Sequence, residues 1–301
     1  MKAVFDTKPS SSYDDDLTRH YQFPPRYLAL AKAAEGDWVV LRRPRADGGN
    51  LAYFAVARVS GLEADPRSPK LSFARLADYL DFDRPVLWRQ AGRYAEQALR
   101  DRPAKGIGVY LRGRSVRALS DADFADIVAA GLEETLAPTN ARRLGLDQQS
   151  IEEIQSGLFA PAIERERKVA QLLTNKVVRE ANFRRSVVEA YDDTCAVTGL
   201  RIINGGGRSE VQAAHIWPVG SGGPDVVQNG IALSGTVHWL FDRHLISLTD
   251  DYRLLVSHNK VPSEFRRLFG QAGDRIHLPN SPAHWPHPAY VAKHRERFAA
   301  A

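Results

Sequence analysis

Between Ala213 and Asp242 the chain spaces a histidine, an asparagine, a second histidine and an aspartate as a phosphodiester-cleaving centre requires. His215 lies in Ala213-Ala-His-Ile-Trp-Pro218, Asn229 opens Asn229-Gly-Ile-Ala-Leu233, and His238 and Asp242 bracket His238-Trp-Leu-Phe-Asp242. Phosphodiester hydrolysis takes an activated water, neutralisation of phosphoryl charge and help for the departing oxygen. Histidine exchanges protons near neutrality, so His215 is the candidate base and Asn229 the group that orients its imidazole. His238 and Asp242, four apart in a helical pattern, share a face and can grip one hard cation, Mg²⁺ or Mn²⁺. Eight of the nine histidines fall between His215 and His294, which puts the chemistry in the C-terminal half.

Positioning these groups takes strand, loop, strand and helix. Val211 to Trp217 reads as a short strand, and Gly220-Ser-Gly-Gly-Pro224 as a loop whose glycines let backbone approach a ligand. Gly230 to Leu233 reads as a second strand, and Ser234 caps a helix from about Thr236 to Arg243. A hairpin turned at Asp250-Asp251 and an extended proline-rich tail with a short, solvated basic end follow. Upstream, Ile163 to about Tyr191 is a long charged helical stretch with an apolar stripe of Val169, Leu172, Leu173 and Val177. Its basic residues Arg179, Arg184 and Arg185, with Arg243 beyond the site, are candidate phosphate contacts.

The string Cys195-Ala-Val-Thr-Gly199, Ala214-His-Ile, Asn229-Gly-Ile-Ala-Leu, His238-Trp-Leu-Phe-Asp242 resembles the HNH endonucleases, whose site sits on a ββα-metal fold. The resemblance covers roughly Arg184 to Phe298. It implies that His215 is the base, Asn229 its support and His238 a metal ligand, with Asp242 one helical turn on as a second. It also implies products with 5′-phosphate and 3′-hydroxyl ends, and a dimer or two nicks to sever both strands. Three departures stand out. Ala214 replaces the ligand many relatives carry before the base. Cys195 is the single cysteine, so no structural zinc is expected. His244 stands where a glycine is expected.

The first hundred residues read as mainly β. Gly36 to Arg43 and Leu51 to Val59 form a hairpin across Ala46-Asp-Gly-Gly-Asn50. Pro85 to Trp88 and Gly106 to Leu111 read as further strands, with helices over Phe73 to Tyr79 and about Gln90 to Leu99. Helices are expected from Ser120 to about Leu136 and from Leu144 to Leu158. Tyr21-Gln-Phe-Pro-Pro-Arg-Tyr27, Gly36-Asp-Trp-Val-Val40 and Tyr53 to Val59 look like the PUA-like superfamily, which includes the EVE and SRA modification readers. That resemblance implies a flipped modified cytosine held by aromatic walls and a polar edge reader. Tyr21, Phe23, Asp37, Trp38, Tyr53 and Trp88 are the candidates.

The expected architecture is α+β: a PUA-like β-barrel over 1–117, a helical connector over 118–162 and a ββα-metal nuclease domain over 163–301. The expected activity is metal-dependent cleavage of double-stranded DNA carrying modified cytosine, by a homodimer. The alternatives are a nuclease indifferent to modification, acting on DNA or RNA, and a non-catalytic binder of modified DNA with a decayed metal site. Net charge is +5, which permits a polyanionic partner without requiring one. No apolar run is long enough to span a bilayer and no secretory h-region opens the chain, so a cytoplasmic location is expected.

Overall fold

The computed structural model describes residues 1–8, 10–45, 49–135, 137, 139, 140, 169, 171–257, 260–262, 267, 269 and 275–300. They fall into two compact units, the first taking 1–136 and 152–178 and the second 137–151 and 179–301, so that the helix starting at Lys176 passes from the first into the second.

In the first unit the strands are β1 (Ala3–Asp6), β2 (His20–Phe23), β3 (Trp38–Arg42), β4 (Ala52–Ala64) and β5 (Ser72–Leu87). Helix α1 (Leu28–Ala34) precedes β3. A small hairpin of β6 (Arg89–Gln90) and β7 (Arg93–Tyr94) leads to helices α2 (Gln97–Arg100) and α3 (Ala104–Leu111). Strand β8 (Val116–Ala118) and helix α4 (Asp121–Gly131) complete the unit. Six strands form one sheet in the order β2-β5-β4-β3-β1-β8. All neighbours are antiparallel except β1 and β3, which are joined by a crossover through β2 and α1. Three register shifts between β4 and β5 curl the sheet into a half-barrel with β2 and β8 as its edges. Phe5, Tyr21, Phe23, Leu41, Val59 and Leu76 fill its core.

The β3–β4 hairpin forms as expected, although residues 46–48 of its turn lie outside the described ones. The segment from Phe73 to Tyr79 is strand, not helix. Its alanines and leucines suit a helix locally, but pairing with β4 from Ser72 to Leu87 outweighs that preference. Gly106 to Leu111 is helix, not strand. Pro103 sets the chain up at the helix entry, Gly106 N donates to Pro103 O at 2.8 Å, and only Ile107 of α3 is buried. The helix expected over Gln90 to Leu99 is a hairpin turned at Ala91 and Gly92, both at positive φ, followed by the single turn of α2. Helix α4 starts at Ser120 as expected, its hydroxyl accepting from Asp123 N at 3.1 Å, but ends at Gly131. A Cβ on Gly131 would lie 2.4 Å from the Phe82 ring, so α4 packs flush on β5 and belongs to this unit's packing. Beyond residue 140 the expected connector, including the 144–158 helix, lies outside the described residues.

In the second unit, helix α5 (Lys176–Ala190) begins after Asn175, whose side chain accepts from Val177 N at 2.8 Å. This cap breaks the single long helix expected from Ile163. Strands β9 (Gln212–His215) and β10 (Gly230–Leu233) pair antiparallel with His215 opposite Gly230. Helix α6 (Gly235–Asp242) follows, then the hairpin of β11 (Ile246–Leu248) and β12 (Leu254–Val256). The basic end is not a solvated tail. It lies within helix α7 (Pro288–Ala300), which buries Tyr290, Val291 and His294. Among the described residues no helix is long and apolar enough to cross a membrane.

Candidate active site

Strand β9 ends at His215, and the chain turns back through Trp217 to Pro224 before β10. Asn229 holds that loop. Its side chain is fully buried, with Oδ1 accepting from Trp217 N and Nδ2 donating to Trp217 O and Pro224 O, each at 2.9 Å. A Cβ on Gly223 would sit 1.8 Å from Trp217 O, so glycine is required where the loop closes on its own backbone. The expected close approach to a ligand is thus an approach to Trp217. Asn229 likewise braces the loop and does not touch the His215 ring; among the described residues its side-chain bonds go to Trp217 and Pro224.

The ring of His215 is held by two residues that the sequence reading missed. Phe183 on α5 stacks on it with centroids 3.7 Å apart and planes 6° apart, and Asp225 Oδ1 lies 3.0 Å from Nε2. Arg179 Nε and Nη2 grip the other carboxylate oxygen, each at 3.1 Å. Burial raises the Asp225 pKa, but the His215 hydrogen bond and the Arg179 charge outweigh it and hold the carboxyl below its ordinary value. An ionised carboxylate only accepts, so His215 carries its proton on Nε2 and keeps the lone pair on Nδ1. Nδ1 has no partner among the described residues and is not among their buried unpaired atoms, so solvent reaches it. The packing behind this arrangement is close: a Cβ on Gly230 would meet Val187 at 2.2 Å and Phe183 at 3.2 Å.

His238 is held from two sides. Nδ1 donates to Gln212 Oε1 at 2.8 Å, and Nε2 lies 3.3 Å from Asp242 Oδ2. The His238 hydrogen bond keeps the Asp242 carboxyl below its ordinary value despite partial burial. With the Nε2 proton displaced, an imidazole nitrogen and a carboxylate side by side suit a divalent cation that keeps most of its own water. No set of three or more His, Cys, Asp or Glu side chains able to hold a metal occurs among the described residues. His238 also lines a cavity of about 630 Å³ with Arg184, Arg208, Glu210 and Gln212.

Behind α6, His294 is buried, stacks on Phe241 at 3.8 Å, and contacts Ser247 Oγ at 2.9 Å and Phe241 O at 3.0 Å. Burial pushes its pKa down to about 4, so it is a neutral packing residue.

The remaining candidates are placed as follows. Arg179 is committed to Asp225, Arg184 pairs with Glu180, Arg185 is buried and pairs with Glu189, and Arg243 stacks over Trp239 at 4.4 Å. In the first unit Tyr21, Phe23, Trp38 and Tyr53 are core residues. Asp37 binds Lys2 and the N-terminal amine, and Trp88 packs edge-on to Tyr94 at 5.2 Å. These six therefore do not form a common pocket. Asp225 had a faint signal, an acid just after a Gly-Gly-Pro turn; Phe183 had none, because its role depends on α5 lying against β10.

Residues 195–249 match the family model of the HNH endonucleases. No curated protein matches the chain. Among solved structures, the modification-dependent TagI restriction endonuclease is similar at 27% identity and TM-score 0.32, over 40% of this chain and 38% of that one. The type IV phosphorothioation-dependent restriction endonuclease ScoMcrA is similar at 15% identity and TM-score 0.21, over 99% of this chain and 54% of that one. The chain thus spans less than two thirds of the length of either. With the family match falling on β9, β10 and α6, the second unit carries an HNH endonuclease domain over residues 195–249.

Proposed function

We propose that this protein is a metal-dependent endonuclease that restricts DNA carrying modified cytosine. The observation that carries the nuclease reading is the pair of histidines inside the HNH-matching segment: His215 presents an Nδ1 without a partner among the described residues, and His238 sets its Nε2 beside the Asp242 carboxylate. In this reading His215 Nδ1 takes a proton from a water, whose oxygen attacks phosphorus in line. The imidazolium formed is stabilised by Asp225, which Arg179 keeps oriented and ionised. Phe183 holds the ring plane, so the base does not swing away during proton transfer. His238 and Asp242 hold the cation, Mg²⁺ or Mn²⁺, which when bound neutralises phosphoryl charge and eases departure of the 3′-oxygen. Asn229 acts one step removed, by fixing the loop that delivers Asp225.

The modified-cytosine reading rests on the first unit's sequence resemblance to PUA-like readers and on its curled half-barrel. Arg43 is better placed there than the buried aromatics. It is half-buried, lies 4.5 Å over the Phe54 ring, and makes one long bond of 3.4 Å to Thr7 Oγ1. A cation with spare donors beside an aromatic face suits a flipped base. The whole chain would act as a homodimer if both strands are cut together.

The test is cleavage of otherwise identical duplexes bearing cytosine, 5-methylcytosine or 5-hydroxymethylcytosine, with Mg²⁺ or Mn²⁺ and His215→Ala as control. Cutting of a modified duplex alone, lost in the variant, supports both halves of the reading. Equal cutting of all three removes the modification reader, and no cutting of any removes the nuclease.

A further inference from the structure

Between Arg84 and Arg114 the chain holds eight Lys and Arg against two acids, a surplus of six that exceeds the +5 of the whole molecule. Two of the eight are committed, Arg84 to Glu134 and Arg100 to Asp123. The other six, Arg89, Arg93, Arg102, Lys105, Arg112 and Arg114, are exposed and have no carboxylate partner among the described residues. The two acids do not offset them. Glu96 is buried against Arg117 and Tyr53, and Asp101 is bonded by the neighbouring Gln97 side chain.

Five of the six are placed by ring stacking or by their position along α3. Arg89 stacks on Tyr94 at 5.0 Å across the β6–β7 hairpin. Arg100 donates to the carbonyls of Tyr94 and Ala95 at 2.8 Å each, which ties the hairpin to α2. Arg102 and Arg114, from the two ends of α3, converge on the ring of Tyr110 at 3.9 and 4.7 Å. Lys105 and Arg112 lie seven apart along α3 and its C-cap, hence on one face. Stacking on tyrosine holds a guanidinium in place while its N–H groups still point outward, which suits phosphate oxygens. Cations gathered without counter-charge repel one another, so such a strip gains most from a polyanion that supplies what the protein does not. The arginines expected from sequence to touch phosphate differ: Arg179, Arg184 and Arg185 each hold a carboxylate of their own chain.

We infer that this strip of the first unit is a sequence-independent grip on the phosphate backbone of duplex DNA. The choice of DNA among polyanions rests on the nuclease reading of the second unit. The strip itself rests on charge, exposure and stacking alone.

The test is binding of the His215→Ala chain to an unmodified duplex of about 30 base pairs across about 50–300 mM salt, read as the slope of log K against log salt. Combining Arg89→Gln, Arg93→Gln, Lys105→Gln and Arg112→Gln should make the slope shallower by about 3 to 4. The arginine-to-lysine versions should change it by less than about 1, because the charge remains. Removing the same charge elsewhere on the unit, at Arg26, Lys32, Lys70 and Arg75, should also change it by less than about 1. An unchanged slope in the strip variant overturns the inference, as does an equal loss in the two glutamine sets. Failure of the parent chain to bind duplex DNA, or tighter binding to polyglutamate or duplex RNA, also overturns it. Cleavage by the His215 chain is scored alongside. A shallower slope with no metal-dependent cutting keeps the grip and sinks the nuclease; cutting with an unmoved slope does the reverse.

Discussion

Each unit gathers charged side chains around aromatic rings, and the two do so in opposite ways. In the first, Asp6, Arg42, Glu96, Arg117 and Tyr53 satisfy one another almost completely. Arg42 grips Asp6 at 2.8 and 2.9 Å, Arg117 bridges Asp6 and Glu96, and Tyr53 donates to Glu96 at 2.6 Å. Arg117, Glu96 and Arg42 are each 3% exposed or less. In the second unit His215, Asp225, His238 and Asp242 remain 25, 14, 22 and 53% exposed, and His215 Nδ1 has no partner among the described residues. Apart from the buried Arg42 Nη1, the first unit's network leaves its donors and acceptors paired, and it serves to hold the fold. A half-saturated one at the surface is where chemistry is available. Residue type did not separate the two; the state of each side chain's second partner did.

The contrast can be broken at five points. The largest effect should come from Glu96→Ala, which leaves Arg117 buried and half-paired and should cost about 3–5 kcal/mol in denaturant unfolding. A loss below about 1 kcal/mol would mean the network is not what holds the first unit. His215→Ala should lower cleavage by about 10²–10⁴ with little change in the unfolding midpoint. Activity within tenfold of the parent would move the base elsewhere.

Asp225→Asn should cost about 10- to 100-fold in turnover, because an amide can hold Nε2–H but cannot stabilise the imidazolium. Its pH–rate profile should shift to lower pH as well, and an unshifted profile would reduce Asp225 to a packing role. Asp242→Asn should weaken half-saturating Mn²⁺ by a similar factor while changing stability by less than about 1 kcal/mol.

The smallest effect is also the sharpest, since the two units should answer acid with opposite signs. His294 has a folded pKa of about 4 against 6.5 unfolded, so the unfolded chain binds the extra proton and stability falls as pH drops from 6.5 toward 4. Between pH 6.5 and 5 that amounts to about 2 kcal/mol. In the first unit burial raises Asp15 to about 6, so the folded form prefers the protonated acid and gains stability over the same interval. Asp6 is held below 3.8 and its contribution is lost only under stronger acid. Hydrogen exchange resolved by peptide, corrected for intrinsic rate, should show β11 and α7 loosening at pH 5 while β4 and β5 do not. Loosening of both together would refute the separation.

Much of the site was legible because its elements are local. His215, Asn229, His238 and Asp242 fall within 28 residues whose strand–loop–strand–helix pattern is written in short-range preferences. The β3–β4 hairpin and the start of α4 were legible for the same reason. What failed depended on distant partners. Phe73 to Tyr79 became strand because β4 was there to pair with it, and Gly106 to Leu111 became helix because no strand edge was. Tyr21, Phe23, Trp38 and Tyr53 have the composition of a reading pocket, and only their burial shows that they pack the fold.

The sequence by itself determined which residue types stand at the nuclease spacing, that Cys195 excludes a cysteine-built zinc site, and that basic residues outnumber acids. Tertiary structure decided how each histidine ring is held, since that depends on Asp225 and Gln212 arriving from 10 and 26 residues away. It also decided which arginines are committed to carboxylates and which have no carboxylate partner among the described residues. Spacing along the chain fixes which groups can meet, but protonation, orientation and pairing belong to the contacts that folding makes.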